Sequence, residues 1–304
     1  MNLSQKERFL AWGILFVLVL TWGSSFILIK RGLESFNAVQ VGALRIVITF
    51  LFFIPFAFKR LKRVKKEQWI WLILSGIIGN GAPSFLFAKA QTVIDSSLAG
   101  ILNSLTPLFT LIIGISFFRL KTKWYNIFGV FIGLIGAVGL IYSSSNGNFE
   151  FNFGYSIYVI IAATFYAINL NIIKYKLEEL DTISIATFAF VAIGIPVSVY
   201  LFFSTDFIQV IIESPTAWKG IGYISILAIM GTAIAMIIFN KLIKMTNVVF
   251  AASVTYMIPV IALIWGIIDG EIFKLSYSIW ILIILGGVFL VNRNHNKSNH
   301  RINN

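Results

Sequence analysis

The 304-residue chain has no cysteine. A disulfide framework, a thiolate metal site and a cysteine nucleophile are therefore excluded, and the redox compartment stays open. Histidine is nearly absent too. His295 and His300 both lie in the polar C-terminal stretch, so the apolar body has no imidazole for acid-base chemistry. Charge is the third shortage: Asp, Glu, Lys and Arg make up 12% of residues, against roughly 25% in a soluble domain, while 58% are hydrophobic. So few charges cannot cover so large an apolar fraction, which excludes an ordinary water-soluble globular protein and makes a lipid bilayer the expected solvent. Carboxylates are missing from the middle of every long apolar run, Asp95 and Asp269 lying near run ends.

Cut at its charges and turn residues, the chain leaves ten apolar stretches of about membrane length: 10–29, 38–58, 69–88, 94–118, 124–142, 155–173, 183–203, 220–240, 248–268 and 277–291. They are continuously apolar, whereas the strands of a membrane barrel would alternate, so they read as helices. Trp12, Trp69, Trp71, Trp124, Trp218 and Trp280 stand near their starts, where indole rings anchor helices at the interface. The short basic N-terminal stretch runs into the first apolar segment without an Ala-x-Ala site, so that segment reads as a membrane helix and not as a removed signal peptide. The expected fold class is an all-α polytopic membrane protein.

The net charge of +12 would suggest nucleic acid in a soluble protein. Sorted by segment it says something else. With a cytoplasmic N-terminus, 18 cations fall in inside segments and 5 in outside ones, leaving Arg45 alone within a span. That asymmetry predicts both termini inside and an even number of spans. The cluster Lys59 to Lys66 sits directly at a span end and reads as topogenic, so no nucleic-acid partner is expected.

The two halves match at a shift of 152 residues: Gly79 with Gly231, Phe87 with Phe239, Lys89 with Lys241, Ala99 with Ala251, Pro107 with Pro259 and Gly114 with Gly266. Five helices per half is an odd number, so the second copy enters the membrane inverted. The predicted organisation is a first repeat at 9–142, an external Ser/Asn/Gly-rich linker at 143–152, a second repeat at 153–292 and a cytoplasmic polar tail at 293–304. Inverted repeats of this kind are how secondary transporters are built, with a site between the halves near the midplane. In the fourth span, Gly100, Asn103, Pro107, Thr110 and Gly114 share a face; in the ninth, Ala252, Thr255, Pro259, Ala262 and Gly266 do the same. These faces suit a cavity lining with proline hinges, or else close helix packing; at Gly129, Gly133 and Ala137 of the fifth span, packing is the expectation.

The ordered, duplicated pattern resembles the EamA family of the drug/metabolite transporter superfamily. Its carriers are Thr21-Trp22-Gly23-Ser24-Ser25-Phe26 with Lys30, Ala43-Leu44-Arg45, Ser97-Leu98-Ala99, and Leu105-Thr106-Pro107-Leu108-Phe109. The second copy repeats this as Ala251-Ala252-Ser253 and Ile258-Pro259-Val260, and closes with Gly270-Glu271. The first copy departs at Phe118-Arg119, where the family often has Gly-Glu. The resemblance implies ten helices around a central cavity lined chiefly by spans one, three, four, six, eight and nine. It also implies export of amino acids or other small metabolites, the YddG-like aromatic amino-acid exporters being one such type.

Candidate cavity residues are Trp22 and Ser25 in span one, Asn80 in the span interrupted by Gly79, Gly81 and Pro83, then Asn103 and Thr106. Tyr166 and Asn169 in span six, Thr232 in span eight, and Thr255 and Tyr256 in span nine complete the set. Pro83, Pro107 and Pro259 are the candidate hinge or packing prolines. Uncharged donors and acceptors beside aromatic faces suit a zwitterionic or neutral solute with an apolar part. Arg45 either holds a substrate carboxylate or snorkels to helix-end carbonyls; the resemblance, which puts it off the cavity helices, favours the second. Lys89 and Lys241, at symmetric span ends, are the residues an exchanger of anionic or phosphorylated metabolites would use. No mid-membrane carboxylate offers a proton relay, so facilitated or exchange transport is expected, with coupling through Asp95 the weaker option. No span clusters His, Asp and Glu ligands, and no Gly-x-x-x-x-Gly-Lys loop occurs, so neither an enzyme, a metal site nor a cofactor is expected. A channel or structural subunit is the remaining rival. The expected partners are a small-molecule substrate and lipid; monomer and homodimer both stay open.

Overall fold

The computed structural model describes residues 4–94, 96–144, 153–258, 260–261 and 275–292; at 96–98, 101, 140, 141, 144, 153, 275, 276 and 292 it describes only the backbone. Asp95, Pro259, Ala262, Gly266, Asp269, Gly270-Glu271, most of the linker and the tail at 293–304 lie outside the described residues.

Among the described residues every regular element is helical. Six helices are long and apolar enough to cross a bilayer: Gln5–Leu33, Ala38–Arg63, Lys66–Ala90, Gly154–Lys176, Thr182–Phe203 and Ala217–Met245. Four shorter apolar helices, Thr106–Phe118, Trp124–Gly139, Val248–Ile258 and Tyr277–Val291, stand where the other four spans are expected. The outer surface fits lipid and not water: Phe9, Phe117 and Phe203 are 84%, 80% and 84% exposed, and large apolar side chains on this scale do not stay uncovered in a soluble monomer. The protein is a multi-pass membrane protein.

In chain order the elements are α1 (Gln5–Gly23) and α2 (Ser25–Leu33), α3 (Ala38–Arg60), α4 (Trp69–Gly76) and α5 (Ala82–Ala90), α6 (Ser96–Asn103) and α7 (Thr106–Phe118), and α8 (Trp124–Ser144). The second half follows as α9 (Phe153–Lys176), α10 (Thr182–Phe203), α11 (Phe207–Glu213), α12 (Ala217–Ala228), α13 (Ala235–Met245), α14 (Val248–Ala252) with helical residues 254–258, and α15 (Leu275–Asn292).

The first span bends between α1 and α2 because three hydroxyls bond back onto its own carbonyls: Thr21 to Val17, Ser24 to Leu20 and Ser25 to Thr21. The third and eighth spans are each interrupted by a π turn, at Ile77–Gly81 and Ile229–Ile234, and the two turns begin 152 residues apart. In the fourth span a three-residue bond from the Leu105 amide to the Leu102 carbonyl tightens the helix just before Pro107, the second residue of α7. Pro107 has no N–H to give to the Asn103 carbonyl, which takes the Thr106 hydroxyl at 2.7 Å instead. In the ninth span the Tyr256 amide makes a three-residue bond of the same kind to Ser253, one residue out of the 152 register.

The repeats keep two registers. Asn37 and Asp181, 144 residues apart, cap α3 and α10 by accepting from the amides of Gln40 and Ser184 at 2.9 and 3.0 Å. From the third span onward the shift is 152. The step between them coincides with α11, a seven-residue helix that the apolar pattern did not reveal; α3 is followed only by two three-residue 3-10 turns, Leu61–Arg63 and Lys66–Gln68. On the flank, α8 packs along α15 through glycines. A methyl on Gly287 would stand 2.4 Å from the Gly133 nitrogen, and one on Gly129 2.8 Å from the Val291 nitrogen, so these backbones touch only because neither position carries a side chain.

Candidate functional site

The broken helices surround a cavity of about 100 Å³ between the two repeats. That is room for several waters or one compact organic group. Trp22, Ser25 and Phe26 enter its wall from the first span, Gly79, Asn80 and Phe87 from the third, and Asn103 and Thr106 from the fourth. The second repeat supplies Tyr166, Asn169 and Leu170 from α9, Gly231 and Phe239 from the eighth span, and Ala252 and Thr255 from the ninth.

The wall is pseudo-symmetric, residue by residue. Trp22 and Tyr166, Ser25 and Asn169, and Phe26 and Leu170 are pairs 144 apart; Gly79 and Gly231, Phe87 and Phe239, and Asn103 and Thr255 are pairs 152 apart. The glycines of the two π turns receive the first and sixth spans. A methyl on Gly231 would meet the Ser25 hydroxyl at 2.9 Å, and one on Gly79 the Asn169 amide at 2.2 Å. The Trp22 indole donates to the Gly231 carbonyl at 2.9 Å and meets the Phe239 ring edge-on at 4.7 Å. On the other side Phe87 stacks with Tyr166 at 6.0 Å and meets Phe26 at 6.2 Å. The lining is thus aromatic with several uncharged polar groups and the one cation Arg45, the composition of a small-molecule site.

Arg45 breaks the symmetry. Its place 144 residues on is held by Ala189, whose carbonyl packs at Gly76. The structure puts Arg45 on the cavity wall, contrary to the expectation that α3 stands off it. Its Nε donates to the Thr232 hydroxyl at 2.8 Å, which ties α3 to the second π turn. One turn along, the Thr49 hydroxyl donates to the Arg45 carbonyl at 2.8 Å, with the Ala228 carbonyl at the end of α12 a longer acceptor at 3.2 Å.

Other candidates lie elsewhere. Thr232 is off the wall itself, bonded to Arg45 and to the Leu227 carbonyl. Tyr256 is fully buried away from the cavity: its hydroxyl donates to the Val130 carbonyl at 2.8 Å, and its ring fills the space over Gly133. It ties span nine to α8, because a phenol in a packed interior needs an acceptor and the α8 backbone provides one. Lys89 and Lys241 are exposed and off the wall, Lys89 standing 5.9 Å from the Tyr155 ring; as charges at span ends they reach polar surroundings instead. Pro83 is buried beside the first π turn and Pro107 opens α7. Thr110 and Gly114, on the predicted face of the fourth span, pack against α9 through Asn171, whose amide donates to the Thr110 carbonyl at 3.2 Å. That face is therefore cavity at Asn103 and Thr106 and packing below them. Phe26, Phe87, Phe239 and Met236 line the wall without having been singled out as site residues, since a lone aromatic in an apolar span has no signature; only the duplication of Phe87 and Phe239 pointed at them.

One face of the molecule ties the repeats together ionically. Arg60 and Arg63, after the second span, meet Asp181 at 2.5 and 3.4 Å, and Lys65 meets Glu179 at 2.7 Å. Lys174 donates to the Ile243, Lys244 and Thr246 carbonyls at 2.7 to 3.1 Å, and Lys244 to those of Glu178 and Leu180. The α9–α10 junction is thereby joined to the end of α13, each cation satisfying carbonyls that a helix end leaves open. Burial pushes the Asp181 carboxyl up, but the Ser184 hydroxyl and amide and the two guanidiniums outweigh it and hold the group below its ordinary value.

Comparison with known proteins agrees with this architecture. The EamA-like transporter family model matches twice, over residues 11–142 and 154–293. A protein of Escherichia coli (strain K12) described as "Uncharacterized inner membrane transporter YedA" is 26% identical over 289 residues, covering 92% of this chain and 90% of that one. A Salmonella typhimurium protein described as "Probable amino-acid metabolite efflux pump" is 26% identical over 148 residues, 48% of this chain and 46% of its own length. A crystal structure 18% identical superposes with a TM-score of 0.70, covering 92% of this chain and 95% of the other, and so shares the fold. With both halves matched and the relatives described as transporters, the chain belongs to the EamA-like transporter family.

Proposed function

We propose that this protein is an alternating-access secondary transporter that exports a small metabolite such as an amino acid across the cell membrane, with both termini cytoplasmic. The observation that carries this is the cavity between the repeats, walled by equivalent residues of the two copies. A site shared in this way is presented to one side when one half rocks against the other. The two π turns and the broken first, fourth and ninth spans give that motion its bending points at the cavity itself. The ionic ties among Arg60, Arg63, Lys65, Glu179 and Asp181 join the two repeats on the face that the positive-inside count assigns to the cytoplasm. The amino-acid class and outward direction draw support from the Salmonella relative's description, and the amino-acid class also from a wall that sets aromatic faces and uncharged donors beside the single cation Arg45. A phosphorylated solute is the poorer fit, because Lys89 and Lys241 stand away from the wall.

Counterflow in proteoliposomes tests the proposal. Flux of a carried amino acid should saturate, accelerate when the opposite side is loaded, and weaken at least about tenfold in Trp22→Ala or Asn103→Ala. Linear flux indifferent to both changes would make the protein a channel. Comparing right-side-out with inverted vesicles gives the direction.

A further inference from the structure

Arg45 is an ionisable residue within a membrane-spanning helix, and it lines the cavity. A cation held there is costly unless something of opposite charge meets it. Among the described residues no carboxylate does: the acidic groups in ion pairs are Glu34, Glu179 and Asp181, all paired with surface cations, and no Asp or Glu lines the wall. The protein partner of Arg45 is a neutral hydroxyl, Thr232, taken by Nε at 2.8 Å. Thr232 in turn bonds the Leu227 carbonyl at 3.1 Å, so one edge of the guanidinium is anchored to the π turn. The two terminal nitrogens make no hydrogen bond to any described residue. A planar fork held at Nε and open at its end is the geometry that takes a carboxylate through two parallel bonds. The charge is single, since the equivalent place in the other repeat is Ala189, which matches one monoanionic group and not a phosphate dianion. Trp22, Phe87 and Phe239 give the wall an aromatic side that suits an apolar arm, and Asn80, Asn103 and Asn169 add uncharged polar groups beside it.

We infer that Arg45 receives the carboxylate of the transported solute, with Thr232 as the residue that positions the guanidinium, so that the substrates are organic monocarboxylates or zwitterions with an apolar arm. The inference rests on the transport reading above and names its substrate class. It also places the negative end of the solute against α3 and the second π turn, which links occupancy of the site to a bending point.

The test uses the full chain in proteoliposomes loaded with the twenty amino acids, in parallel with their primary amides, with efflux quantified for each compound. At least one acid should show saturable efflux at least about tenfold faster than its amide, because a site built for an ionic hydrogen bond rejects the analogue lacking it. Arg45→Gln should abolish that preference. Arg45→Lys, which keeps the charge and loses the fork, should retain only part of it. Thr232→Val should raise KM severalfold for the acid and leave the amide unchanged. The size-exclusion profile and helix content of each variant are checked first; should Arg45→Gln fail to fold, Arg45→Lys and Thr232→Val carry the comparison. Saturable efflux of amides as fast as acids, or an acid preference surviving in Arg45→Gln, overturns this inference and leaves the transport reading standing. Thermal stabilisation of the purified protein by chloride alone, equal to that by acids, assigns the site to an inorganic anion and overturns it as well. Saturable flux of no compound removes the transport reading and this inference together.

Discussion

Asn80 and Thr232, 152 residues apart, each donate a side-chain hydrogen bond to the carbonyl five residues back, Asn80 to Ser75 at 3.4 Å and Thr232 to Leu227 at 3.1 Å. Both sit within a π turn, and both acceptors belong to the helical stretch just before it. The two copies thus solve one problem in one way: a wide turn inside lipid shifts its backbone bonds by a residue, and a polar side chain at the turn supplies a donor there. They differ in one respect. Thr232 also accepts from Arg45, so its turn is tied to α3 while the turn at Asn80 is not.

That difference sets an order of effects. Interhelical and helix-internal polar bonds in membrane proteins are worth about 0.6 kcal/mol on average and up to about 1.7 kcal/mol. Thr232→Val breaks two bonds and should lower thermal stability in detergent more than Asn80→Leu, which breaks one. Equal or absent losses would mean that these side chains do not hold the π turns.

Gly79 faces the Asn169 amide with no room for a methyl group. Gly79→Ala should therefore destabilise by about 1–3 kcal/mol, the usual range for overpacking. The cause is local, so Asn169→Ala in the same chain should restore most of the loss. A double-mutant cycle on unfolding measures the coupling; strict additivity would contradict the contact.

The two candidate tyrosines separate cleanly. Tyr256→Phe loses the bond to the Val130 carbonyl and should cost about 1 kcal/mol of stability with transport rates unchanged. Tyr166→Phe, on the wall and within electrostatic reach of Arg45, should alter KM with little change in stability. Thermal unfolding and concentration-dependent flux on the same preparations check both.

Asp181 gives the tie between the repeats a pH dependence. Its folded-state carboxyl lies below the ordinary value of 3.8, so on acidification the unfolded chain takes up the proton first. The stabilisation is then complete at neutral pH, unchanged down to about pH 5, and lost as pH falls through the folded value. Asp181→Asn should unfold at a lower temperature than the unaltered protein at pH 7, and the gap should close in acid. Because the group is partly exposed, the gap should also shrink as salt is raised.

The span count, the apolar exterior and the duplication were legible in the sequence because each is a property of runs and spacings: lipid selects about 20 apolar residues per crossing, and a copied gene leaves equal intervals. Part of the site was legible for the same reason, since Trp22, Ser25, Asn80 and Asn103 are polar or amphipathic residues where lipid tolerates few. Comparison at a single shift hid the equivalence of Trp22 with Tyr166 and of Ser25 with Asn169. The α11 insertion moves the register by eight, and a seven-residue helix between spans has no distinct apolar period.

Composition and spacing alone determined that this chain lives in a bilayer as two matched sets of apolar helices, since the cost of uncovered polar backbone in lipid allows few alternatives. Which polar residues meet was decided only by the tertiary fold. A side chain's direction depends on helix rotation and on local departures from the α geometry, and a π turn changes both. At such a turn Thr232 meets Arg45, a cation on the cavity wall, while Tyr256, one residue from the cavity-lining Thr255, faces the opposite way and serves as a bolt to α8.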